Sequence, residues 1–133
     1  MSASRGVRLN RLVRVAQLIY RREAAELARK QLEAREANEI VADAEQRLDA
    51  PLAAGDFLAQ LSVVRAARAR HQLAKADARV HDQLETTRDA MSRKKGAESE
   101  LDIHAMEIER AHARKDADDL QERVARPQGS SLG

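Results

Sequence analysis

The sequence predicts an all-α protein, a long two-helix antiparallel coiled-coil hairpin with helices over about 7–49 and about 57–124 joined by a turn at 50–56. Three observations carry that reading. One stretch alone before residue 126 gives a helix a clear reason to stop, Leu48-Asp-Ala-Pro-Leu-Ala-Ala-Gly-Asp-Phe57. Both flanks are long, rich in alanine and charge, and contain no proline. Large apolar residues then recur at heptad spacing, which keeps one row of side chains facing a partner helix.

Composition narrows the class in the same direction. The chain has 133 residues, 35% of them charged and 2% aromatic, so it has too few large side chains for a compact core. Net charge is only +2 and glycine and proline are few, which favours folded helix over disorder. Length fits one domain, 1–125, followed by a patternless tail at 126–133. Cysteine is absent, as suits a reducing cytosol, and no apolar run is long enough for a membrane span. The opening is basic and free of acids, as a mitochondrial transit peptide would be. Its apolar pattern nevertheless runs unbroken into the first helix.

The turn follows from backbone chemistry. Pro51 has no N–H and disfavours the α conformation in the residue before it, so the first helix ends near Asp49. Gly55 permits positive φ, and Asp56 is a good N-cap for a helix beginning at Phe57.

In the first helix Val13, Tyr20, Leu27, Ala34, Val41 and Leu48 recur every seventh residue. A companion row of Leu9, Ala16, Ala24, Ala37 and Ala44 is mostly alanine, interrupted by Gln31 and Asn38, which makes a thin seam. At about 1.5 Å per residue this helix is roughly 60 Å long. The second helix offers Val80, Leu84, Thr87 and Met91, then Leu101, Ala105 and Ile108. Lys94 and Glu98 fall between them, His112, Lys115 and Asp119 follow, and Gly96 is a candidate hinge.

Charge segregation selects the antiparallel, monomeric arrangement. Residues 5–22 carry six arginines and no acid, whereas 23–49 carry eight acids against four bases. Across the turn Arg65, Arg68, Arg70, Lys75 and Arg79 face Asp77 alone, and residues 98–122 hold nine acids against three bases. Folding back sets unlike charges side by side. A parallel dimer would set like charges together.

Chemistry that needs a cleft is missing, so the chain is read as no enzyme, with no catalytic, cofactor or metal residues. His71, His81, His104 and His112 include no pair spaced for one metal ion, and no phosphate-cradling glycine loop occurs. Acid pairs such as Asp118-Asp119 read as solvated helix surface. The basic cluster Arg65, Arg68, Arg70 and Lys75 has no interleaved aromatics for base stacking, so nucleic acid is not an expected partner. Membrane contact is at most peripheral, through the N-terminal arginines beside Leu9, Leu12 and Ile19. Two protein-docking surfaces are expected instead. One joins Arg8, Arg11 and Arg14 to Leu12. The other is the densest large apolar group of the chain, Phe57, Leu58, Leu61 and Val64, beside Arg65 and Arg68.

The opening, Arg8-Leu-Asn-Arg-Leu-Val-Arg-Val-Ala-Gln-Leu-Ile-Tyr-Arg-Arg-Glu-Ala-Ala-Glu-Leu-Ala28, resembles the start of the FliJ family of flagellar type III export proteins. Arg93-Lys-Lys-Gly-Ala-Glu98 with Leu101, and the charged end around Asp118-Asp119, resemble its second helix; the likeness runs from about residue 7 to 124. The resemblance implies a cytoplasmic two-helix coiled coil, peripheral at the inner membrane face. It further implies a stalk of the hexameric export ATPase, in contact with the membrane export gate protein near the hairpin tip and with unloaded export chaperones. Injectisome stalk proteins are related to that family, and a generic structural coiled-coil adaptor is the alternative reading.

Overall fold

A computed structural model describes the backbone of residues 2–49 and 56–125 and the side chains of 4–48 and 57–125. Two long helices, α1 (Ser2–Asp49) and α2 (Asp56–Ala125), pack against each other as an all-α hairpin. The turn at Pro51–Gly55 and the tail at 126–133 lie outside the described residues. The α1 helix starts five residues earlier than the sequence pattern suggests. Nothing in Ser2–Gly6 breaks a helix, and Gly6 lies against a side chain of α2: a Cβ built on it would sit 3.5 Å from His104 Nε2. Contacts divide the chain into two compact units, Gln17–Arg93 and Met1–Ala16 with Lys94–Gly133.

Within Gln17–Arg93 the heptad row of α1 lies in the seam, with Val41 buried and Tyr20, Leu27, Ala34 and Leu48 partly so. The companion row is a strict repeat of Glu23, Lys30, Ala37 and Ala44. Gln31 and Asn38 point outward and do not interrupt it. Opposite them, α2 buries Ala66, Ala69, Ala76 and Ala90. These small side chains, with Leu73 and Val80 partly buried among them, make the α2 side of the seam thin. The row of α2 through Val80 and Thr87 lies in the seam as expected, and the other row falls one position earlier than the apolar count suggests. Gln83 and Ala90 are buried, and Leu84 and Met91 sit at the seam's edge. Keeping the seven-residue spacing set by Ala69 and Ala76 leads to Gln83, a polar residue. An apolar count passes over it in favour of its neighbour.

Antiparallel pairing here is pinned by polar contacts. Gln83 Nε2 donates to the Glu23 carboxylate at 2.6 Å and approaches the Glu23 carbonyl at 3.2 Å, while Lys30 Nζ donates to Gln83 Oε1 at 2.9 Å. The buried Thr87 hydroxyl lies 2.8 Å from the Gln83 carbonyl and 3.2 Å from the Glu23 carbonyl, and its single proton serves one at a time. Arg70 Nε donates to Glu45 Oε1 at 3.0 Å. On the outer surface Arg29 joins Glu26 and Glu33 one turn either way. Its hydrogen bond and positive charge hold the Glu26 carboxyl below the usual range, and Arg29 is raised in turn.

In the other unit Leu9 and Val13 are buried from α1, and His104 is buried from α2 with Leu101 and Ile108 partly so. Ala105, a seam candidate by sequence, is exposed; His104 takes its place for the same reason of spacing. His112, Lys115 and Asp119 continue the two rows but are exposed, beyond the described start of α1. Gly96 lies inside an unbroken α2, and a Cβ there meets no atom within 4 Å. Gly96→Ala is therefore expected to stabilise the fold by about 1 kcal/mol through helix propensity alone, checked by urea unfolding with an unchanged slope.

Candidate docking surfaces

Each unit carries a surface of apolar side chains set among arginines. In Met1–Ala16 with Lys94–Gly133, the α1 seam uses Leu9 and Val13 and leaves Leu12 55% exposed, with Val15 beside it. Arg8, Arg11, Leu12 and Val15 line a shallow groove of about 310 Å³. The aliphatic stems of the two arginines supply its walls while their guanidinium groups reach solvent. Val15, 53% exposed, joins the residues that the sequence marks for this surface. Its spacing of three from Leu12 was the available signal.

The expectation that these arginines satisfy the acidic half of α2 is not met. Arg5 alone reaches across, to Glu107 at 4.0 Å, and Arg8, Arg11 and Arg14 make no ion pair among the described residues. Facing is the reason: steps of three drift around α1 and away from α2. Likewise Arg70 alone of the second cluster pairs with α1, while Arg65 and Arg68 have no ion pair among the described residues.

In Gln17–Arg93, Phe57 is 76% exposed, Leu58 and Val64 are about half exposed, and Leu61 is partly covered. Positions 57, 61, 64 and 68 fall on one face of α2, turned from the seam formed by Ala66 and Ala69. Arg65 and Arg68 border it and also line a cleft of about 430 Å³ with Ile40, Asp43, Arg47 and Ser62. Val63, 57% exposed, adds a further apolar side chain beside this face.

His104 is the anomaly of the interior. It is 5% exposed, and neither ring nitrogen has a hydrogen-bond partner. Among the described residues no group of three or more His, Asp or Glu lies together as a metal site, and no helix is long and apolar enough to cross a membrane. Set against family models, curated proteins and solved structures, the chain matches none.

Proposed function

We propose that this chain is the coiled-coil stalk of a type III protein export apparatus of the flagellar kind. It would be a cytoplasmic, non-enzymatic component that works at the inner membrane face by touching larger partners. The observation that carries the reading is the pair of apolar-and-arginine surfaces that the hairpin leaves uncovered: Leu12 and Val15 among Arg8, Arg11 and Arg14, and Phe57 with Leu58 and Val64 beside Arg65 and Arg68. Exposed apolar patches rimmed by charge mark protein contacts. The likeness of 8–28 to the FliJ opening supplies the partner class: the export ATPase hexamer for the N-terminal surface, and the export gate protein for the Phe57 surface. Export chaperones are the third expected partner.

A mixed cationic and apolar surface suits a weak, salt-sensitive contact with an acidic ring lumen. Purified ATPase hexamer and the cytoplasmic part of the gate protein, each immobilised, test both assignments. Wild-type chain should bind each. Phe57→Ala with Leu61→Ala should weaken gate binding by about tenfold or more while helicity and ATPase binding stay unchanged. Equal gate binding by the variant assigns those residues to closing the turn. Preference for an injectisome ATPase moves the stalk to that system, and failure with every export ATPase leaves the structural adaptor.

A further inference from the structure

Within Gln17–Arg93 the two flanks of the seam differ in charge. On one flank Arg70 Nε donates to Glu45 Oε1 at 3.0 Å, so base and acid meet across the helices. At 100° per residue Arg65 and Arg68 turn to the opposite flank, where they line the cleft of about 430 Å³. The one acid lining that cleft, Asp43, lies 3.4 Å from Arg47 on its own helix. Arg65 and Arg68 have no ion pair among the described residues, and α2 has no acid from Phe57 to Ala76. Three arginines therefore stand against one aspartate, and two of the three are left without a counter-charge.

The wall between these charges is apolar and ridged. Ile40, Ala44 and Arg47 step by four and then three along α1. Arg65, Ala69 and Gln72 take the same steps along α2. Such steps keep each trio on one face of its helix, so the cleft runs between two straight ridges, as the groove that receives a third helix does. Its chemistry narrows the occupant. A small anion would use the arginines and leave Ile40, 61% exposed, in water. No aromatic ring lines the cleft for a nucleotide base to stack on. An acidic helix with one apolar face satisfies both parts at once.

We propose that this cleft seats an acidic amphipathic helix of a partner protein. Its apolar stripe covers Ile40, Ala44 and Ala69, and its carboxylates pair with Arg65 and Arg68. The inference does not rest on the export reading. It shares the two arginines with the surface offered there to the gate protein, but its apolar wall is a different one. A gate fragment that fails to bind leaves it standing.

The probe is a synthetic three-heptad peptide with leucine along one face and glutamate on both flanks, titrated with the purified chain by fluorescence anisotropy. Binding is expected, and should weaken as salt rises. Arg65→Glu with Arg68→Glu, both at exposed positions, should raise the dissociation constant by about tenfold or more, and so should Ile40→Asp. Arg88→Glu with Arg93→Glu makes the same change of charge at exposed positions farther along α2 and should leave binding unchanged. Circular dichroism checks that each variant keeps its helicity; if the charge reversal does not, Arg65→Gln with Arg68→Gln gives the same reading. Absence of binding, or an equal loss in both double variants, overturns the proposal. So does equal binding by a peptide of the same composition with its leucines scattered around the helix. Tighter binding of phosphatidylglycerol vesicles or of a single-stranded oligonucleotide, lost in the Arg65 and Arg68 variant, also overturns it, since lipid or nucleic acid would then be the occupant.

Discussion

Replacing His104 by leucine is expected to raise the thermal midpoint by several degrees. The ring occupies a seam position, is nearly inaccessible, and leaves both nitrogens without a partner. A polar group buried without its hydrogen bond costs about 1–3 kcal/mol. Leucine at the same heptad position keeps most of the packing against Gly6 and removes that cost. Alanine removes the cost too but leaves a cavity, so His104→Ala should fall near or below wild type. A lower midpoint for His104→Leu would mean that the imidazole is hydrogen-bonded in solution and that the start of α1 does not cover it.

The second large effect is expected at Gln83. Its amide bridges the Glu23 carboxylate and the Lys30 ammonium across the seam, at 2.6 and 2.9 Å. Gln83→Ala strips both partly buried charges of their shared neighbour and opens a gap. A loss of about 2–3 kcal/mol is expected in urea unfolding. Replacing Glu23, Lys30 and Gln83 together by leucine should do the opposite and raise stability, since an apolar layer carries no desolvation cost. That variant should also lose its single register, because a buried polar layer disfavours every slipped alignment. Cysteine pairs placed at Glu45 and Arg70, which face each other across the wild-type seam, report this. They should cross-link cleanly on the wild-type background and incompletely on the triple leucine background.

The legible part of this fold was carried by backbone punctuation and by α1. Proline, glycine and an N-cap residue in one short stretch marked the end of α1 at Asp49 and the start of α2 at Asp56, and the row from Val13 to Leu48 located the seam of α1. The phase of α2 was harder to read. One row, through Val80, Thr87, Leu101 and Ile108, is where apolarity puts it; the other passes through Gln83, Ala90 and His104, each with a larger apolar neighbour or a more plausible small one beside it. Apolarity pointed to the neighbour, and only the positions facing α1 decide between them. The exposure of Leu12, Phe57, Leu58 and Val64 was legible as an excess of large apolar side chains that a two-helix seam has no room to cover. Pairing of the arginines was not, because segregated charge along a chain does not say which way a side chain faces.

Whether those arginines serve partners or the hairpin is the central question, and one variant settles it. Arg11→Glu with Arg14→Glu alters two exposed side chains that make no ion pair among the described residues. Melting and binding to the export ATPase hexamer are measured on the same preparation. The expected result is an unchanged melting curve and a loss of binding of about tenfold or more. A lowered melting temperature with binding retained would contradict it, and would return the arginines to the hairpin.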